Sequence, residues 1–124
     1  ARDTLAHFDI PTTPTSTHPD VAKNFSARGA WADGKRKIMQ RGLSIRRGRK
    51  GYAITQFGFL LNVSVDVSQY AAIYPCGLDI EMTSMEKELR RPITIQEVLP
   101  HLIDAVAYEF FTYEIKKINP SHTR

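Results

Sequence analysis

Cys76 is the side chain in this sequence best suited to nucleophilic chemistry. It is the only cysteine of 124 residues and lies within Ile73-Tyr74-Pro75-Cys76-Gly77. Pro75 fixes φ and lacks a backbone donor, while Gly77 frees the chain on the other side. A cysteine between them sits on a bent backbone that presents a side chain as readily as it packs one. A thiolate is a strong nucleophile that can form a covalent intermediate with a substrate. It must first lose its proton, so a base or a cation has to lie nearby. The competing reading is a small buried apolar residue, the usual state of a lone cysteine.

Charge is the second signal. The chain carries 17 Lys+Arg against 13 Asp+Glu, a net +4. The distribution says more than the total. Lys35, Arg36, Lys37, Arg41, Arg46, Arg47, Arg49 and Lys50 fall between 35 and 50 with no acid among them. Asp79, Glu81, Glu86, Glu88, Glu97, Asp104, Glu109 and Glu114 gather later. A basic block of this kind fits an acidic partner, either an acidic protein or RNA. Trp31 and Tyr52 only flank it, so base stacking is not indicated.

The elements that must position these groups follow from pattern. Gly58 to Val63 is a short apolar run that predicts a buried strand. Val63, Val65 and Val67 alternate with Ser64, Asp66 and Ser68, which extends a strand pattern. Upstream, Gly29 to Asp33 predicts a strand and Asp33-Gly34 a turn. Lys37 to Arg46 predicts a second strand, with a bulge at Gly42. Arg47 to Gly51 is a basic turn, and a third strand starts at Tyr52. Leu5 and Phe8 have helical spacing, and residues 11–20 are Pro- and Thr-rich and read as loop. Thr83-x-x-Glu86 and Thr94-x-x-Glu97 are capping-box patterns. After the second, Val98, Leu102, Val106 and Phe110, with Leu99 and Ile103, predict an amphipathic helix against the sheet. Pro100 should start a new turn or kink it. Asn119-Pro120 ends it, leaving 119–124 as a polar tail.

One domain over residues 1–124 suits this length. The expected fold class is α+β: a mostly antiparallel or mixed sheet with helices on one face. A single cysteine rules out an internal disulfide and a multi-cysteine metal site. No apolar run approaches the length of a membrane span. No secretory signal pattern opens the sequence, although a cleaved presequence would leave no trace.

Three segments in order carry a family resemblance: Gly58-Phe59-Leu60-Leu61-Asn62-Val63, Pro75-Cys76-Gly77 and Thr83-Ser84. They resemble the G-F-A-L-N-V strand, P-C-G turn and T-S helix start of the lipoyl(octanoyl) transferases, in order and spacing. Lys37-Ile38-Met39-Gln40-Arg41-Gly42 is similar to that family's K-I-A-x-x-G strand. The resemblance covers roughly residues 1–115 and implies the C-terminal half of the biotin/lipoate protein-ligase-like fold. It implies Cys76 as nucleophile and Lys37 as the partner that moves its proton. It places Gly58, Phe59, Leu60, Asn62, Gly77, Thr83 and Ser84 at the substrate; helix capping accounts equally well for Thr83 and Ser84, backbone bonding for Asn62 and core packing for Phe59 and Leu60. Backbone N–H groups near Gly77 are oxyanion candidates on general chemical grounds alone. The resemblance implies octanoyl-acyl carrier protein and apo-lipoyl domains as partners, and Arg46, Arg47, Arg49 and Lys50 would dock the acidic carrier. No metal, nucleotide or other cofactor is required, because a thioester is already activated. Departures are also plain. Phe57 replaces a histidine of the family strand, and the family's R-G-G segment and H-G-P-G-Q loop have no counterpart. These support a second reading, a non-catalytic subunit of a larger assembly, such as an RNA-rich mitochondrial one. The expected location is the mitochondrion, with a bacterial cytoplasm as the alternative.

Overall fold

The computed structural model describes the backbone of residues 1–118, and the side chains of that stretch apart from Ser26, Cys76 and 111–118. The tail 119–124 and the Asn119-Pro120 stop lie outside the described residues. The sheet is built around one long strand, β3 (Arg36–Arg47). β1 (Thr12–Thr13), β2 (Gly29–Ala32), β3 and β4 (Ala53–Leu61) lie side by side in that order, each antiparallel to the next. β5 (Glu81–Met82) adds to β3 in parallel. The fold is therefore α+β with a mixed sheet. Thr12–Thr13 places a two-residue edge strand inside the stretch read as loop.

The β2–β3 hairpin turns at Asp33 and Gly34, both left-handed with φ of 55° and 66°. That pair matches the right-handed twist of the strands it joins. Gly34 is needed for a second reason, since a Cβ there would strike the Thr17 side chain. The bulge lies in this hairpin and not at Gly42. Ala30 faces Met39 and Trp31 faces Lys37, so the extra residue is Ile38. Gly42 instead pairs with Gly58 in an unbroken ladder from Met39 to Arg47.

Leu5 of α1 (Arg2–His7), Ile10, Ala30, Ile38, Met39, Met85 of α3 (Met85–Leu89), Ile93 and Val98 form the core. α4 (Ile95–Ile118) starts after Thr94, whose hydroxyl accepts the Glu97 N–H at 3.2 Å. Only that half of the capping box is made, because the Glu97 carboxylate pairs with Arg91 at 3.3 Å. The helix runs on through Pro100. Of its expected apolar stripe Val98 is buried, while Leu99, Ile103 and Phe110 are exposed. α4 meets α1 through a stack of His101 on His7, ring centroids 3.9 Å apart.

Two further expectations are corrected. Ser64 to Asp66 is irregular and Val67–Ala72 is a 3₁₀ turn, so the valine alternation is not a strand. Asp66 caps that turn by accepting the Ser68 N–H at 3.0 Å, a local bond that competes with extended pairing. The cap of α3 is Ser84, which accepts the Lys87 N–H at 3.2 Å. Thr83, one residue earlier, is left for another role.

Candidate active site

Lys37 lies on the buried half of β3, between the bulge and the hairpin turn. Its side chain is 1% exposed. Lysine is almost never buried so completely without a specific reason. Its Nζ lies 5.7 Å from the centre of the Trp31 ring, a cation–π distance. The Trp31 indole is itself fixed, donating to the Ala27 carbonyl at 2.7 Å. Gly29 makes room for the lysine stem. A Cβ there would sit 3.2 Å from Lys37 Cε and collide with the Met39 carbonyl.

β4 and β5 share one edge of β3, and Asn62 stands where the first leaves and the second arrives. Its N–H donates to the Ile38 carbonyl at 3.0 Å, and its amide Nδ2 donates to the Thr83 carbonyl at 3.1 Å. Its own carbonyl accepts the Met85 N–H at 2.9 Å. The Thr83 N–H donates to the Lys37 carbonyl at 2.9 Å. Lys37, Asn62, Thr83 and Ser84 are thus brought together, all buried.

Thr83 also donates its hydroxyl to Glu88 Oε1 at 2.6 Å. Arg36 grips the same carboxylate with both prongs, Nε to Oε1 at 2.8 Å and Nη2 to Oε2 at 3.0 Å. The hydrogen bond from Arg36 holds the Glu88 carboxyl below its usual range, helped by Thr83 and opposed by burial. The Glu88 hydrogen bond raises Arg36 in turn. Sequence pattern did not find this group. Arg36 and Glu88 are 52 residues apart, and only the position of Arg36 next to Lys37 hinted at a role.

Cys76 is the middle residue of a 3₁₀ turn, Pro75–Gly77, and Gly77 has φ +71°. The bent backbone expected there is present. The Gly77 N–H donates to the Tyr74 carbonyl at 2.9 Å and the Leu78 N–H to Pro75 at 3.0 Å. Both donors are engaged inside the turn, so an oxyanion role would require their release. Gly77 to Ile80 link Cys76 to β5, where Glu81 pairs with Arg36 and Met82 with Lys37. Leu78 to Glu81 also line a cavity of about 740 Å³ with Trp31, Lys35, Gly34 and His18. The cysteine's segment and the lysine's neighbours therefore face one space.

Gly58 and Phe59 line a different cavity of about 790 Å³, with Gly29, Met39, Phe57, Val106 and Phe110 as apolar walls and Arg2 and Arg41 among its polar groups. Leu60 is not among its walls. It is exposed and borders a groove of about 200 Å³ with Leu99 and Leu102. Arg46, Arg47, Arg49 and Lys50 stand at the far tip of the β3–β4 hairpin, closed by the Gly48 N–H donating to Tyr52 at 2.7 Å. They are remote in the ladder from Lys37.

Residues 2–107 match the lipoyl protein ligase A/B catalytic domain, and the chain belongs to that family. Its similar relatives are octanoyltransferases by name. One from Mycobacterium avium strain 104 is 36% identical over 84 residues, 63% of this chain and 34% of the relative. Another is the human mitochondrial octanoyl-[acyl-carrier-protein]:protein N-octanoyltransferase LIPT2, 41% identical over 78 residues, 62% of this chain and 31% of the relative. A third, from Mycobacterium sp. strain KMS, is 40% identical over 94 residues, 71% of this chain and 36% of the relative. The chain spans about a third of the length of these relatives. The resemblance drawn from the motifs is borne out at the level of family and fold.

Proposed function

We propose that this chain contributes to octanoyl transfer from octanoyl-acyl carrier protein to a lysine of apo-lipoyl domains, with Cys76 as nucleophile and Lys37 as its base. The observation that carries the proposal is the burial of Lys37 beside Trp31, on the strand that pairs with the segment following Cys76. A positioned acid–base group has to be held in place, and burial beside Trp31 sets Lys37 apart from the solvated cations of the same block.

The chemistry balances without a cofactor. Lys37 takes the Cys76 proton, and the thiolate adds to the thioester carbonyl. The carrier's thiol leaves as the tetrahedral adduct collapses, taking the proton back from Lys37. The acyl-enzyme is then attacked by the lipoyl-domain lysine, which forms an amide and returns the thiol. The cavity lined by Gly58, Phe59 and Met39 has the apolar wall an eight-carbon chain requires. Asn62, Thr83, Ser84 and Gly77 act through the backbone that holds the site, and Leu60 borders the neighbouring groove. The four cations at the hairpin tip dock the acidic carrier.

The mitochondrial human relative supports a mitochondrial location, and the bacterial relatives support a bacterial cytoplasm as the alternative. Among the described residues no helix is long and apolar enough to cross a membrane. The assembly-subunit reading draws on the same exposed cations and gains nothing from the relatives, which are named as transferases.

Intact-mass measurement after incubation with octanoyl-acyl carrier protein tests the proposal. One octanoyl group should be added, and Cys76→Ser should abolish its stable accumulation. Undiminished labelling of that variant would remove Cys76 from the mechanism.

A further inference from the structure

We infer that Glu88 is a positioning residue for Lys37, acting through Arg36 and Thr83 to fix the register between the lysine's strand and the cysteine's segment. The inference rests on the acyl-transfer reading above. β5 makes only two cross-strand pairs, Arg36 with Glu81 and Lys37 with Met82. So short a parallel ladder is a weak tether, since parallel pairing is slightly less stable per residue and only two pairs contribute. Yet it is the link between Lys37 and the turn that carries Cys76. Asn62 braces it on one side, through its bonds to the Ile38 and Thr83 carbonyls, and the side of Arg36 needs a second brace.

Glu88 supplies that restraint. Its carboxylate accepts three hydrogen bonds, two from Arg36 and one from Thr83. Arg36 precedes Lys37 on β3, and Thr83 follows Met82 out of β5. The Thr83 N–H already meets the Lys37 carbonyl at 2.9 Å. A closed circuit results, running from Arg36 through Lys37 to Thr83, across to Glu88 and back to Arg36. A slip of β5 along β3 would break the backbone bond and the carboxylate bonds together. Bidentate arginine–carboxylate pairs are both strong and directional, so they hold position as well as charge. The Glu88 side chain is 16% exposed and that of Arg36 26%, which keeps most solvent from competing. Because its carboxyl is held below the usual range, Glu88 stays ionised at neutral pH and the circuit stays closed.

The alternative is an ion pair that merely stabilises the fold. The two are separated by the pH dependence of Cys76 alkylation by iodoacetamide, which needs no acyl substrate. It is measured for the unaltered protein, Lys37→Ala, Glu88→Gln and Ile10→Ala, a core truncation outside the circuit. Lys37→Ala should move the profile, and Glu88→Gln should move it in the same direction. At saturating donor, Glu88→Gln should also slow acyl-enzyme formation on the order of tenfold or more, as small misplacements do, with donor KM unchanged. Ile10→Ala should lose at least as much melting temperature and leave both readouts alone. A Glu88→Gln profile identical to the unaltered one, or an equal shift in Ile10→Ala, would overturn the inference. A profile unmoved by Lys37→Ala would instead overturn the pairing of Lys37 with Cys76, and the inference would fall with it.

Discussion

β3 has two halves that live in different media. From Lys37 to Met39 every residue is buried, with Lys37 at 1%, Ile38 at 0% and Met39 at 7% exposure. From Arg41 to Arg47 the same strand is exposed or nearly so on both faces, and its partner β4 is likewise exposed from Ala53 to Gly58. The near half has β2, β5 and the helices around it. Past Arg41, which lies 5.5 Å over the Phe25 ring, the far half pairs only with β4 among the described residues, and the two form a two-stranded arm. Cations occur in both halves but in different surroundings. In the near half one lysine is excluded from water and one arginine is committed to a carboxylate. In the far half Arg46, Arg47, Arg49 and Lys50 keep their hydration and display charge. On the proposed function, the same residue types would divide into chemistry and recognition according to burial.

The largest test of that division is a comparison of lysines two positions apart. Lys37→Ala should slow acyl-enzyme formation by about 10²- to 10⁴-fold, the range a positioned acid–base group contributes. Lys35→Ala, an exposed residue of the turn, should change it little. Equal losses in stopped acylation assays would show that both act as surface charge and would erase the distinction between the halves.

How far this was readable in advance depends on range. The hairpin turn at Asp33-Gly34, the strands around it and the bent backbone at Cys76 follow from local chemistry, and each was legible. Lys37 was not, because one cation in a block of eight looks solvated until the sheet buries it. Only the family motif singled it out. The bulge lies at Ile38 and not at Gly42, although a glycine in a strand signals a bulge more plainly than an isoleucine does. The valine run is not a strand because alternation shows only that a segment can be one, whereas a partner edge decides whether it is. The capping-box pattern points to Thr83, yet Ser84 is the cap, a choice between neighbours that the Thr83–Glu88 contact resolves. Contacts spanning 52 residues leave no local trace at all.

A medium-sized effect sharpens the account of the near half. Glu88 is held below its ordinary range, so its contribution to stability is complete above the unfolded carboxylate value of about 4.3 and is lost as pH falls through its folded value. Arg36 is raised, and an arginine stays charged throughout this range. Acidification below about pH 4.3 should therefore destabilise the unaltered protein more steeply than Glu88→Gln. At neutral pH that variant should be less stable by ~2 kcal/mol, the scale of hydrogen bonds to a charged group. Parallel urea-melt curves for the two proteins across that window would show that the clamp does not contribute.

The smallest effect on the fold is expected in the arm, and its smallness is the point. Arg46, Arg47, Arg49 and Lys50 make no ion pair among the described residues and are exposed. Replacing all four with glutamine should change stability by no more than about 0.5 kcal/mol each, as surface substitutions usually do. Binding is another matter. Four cations on a projecting hairpin attract an acidic surface through a field that salt screens over about 10 Å at 0.1 M. The variant should bind acyl carrier protein much more weakly, and added salt should reproduce that loss in the unaltered protein. The chemical step, measured at saturating donor, should not change, because the tip lies far along the ladder from Lys37. Titrations against carrier protein and structured RNA must share one ionic strength, since polyanion affinity is meaningless without it. Saturation at one carrier per chain, lost in the variant, would establish the arm as a docking element for the buried site. Retained carrier binding in the variant would detach the arm from catalysis. Tight RNA binding with a steep salt slope and no carrier binding would move this chain to the assembly-subunit reading.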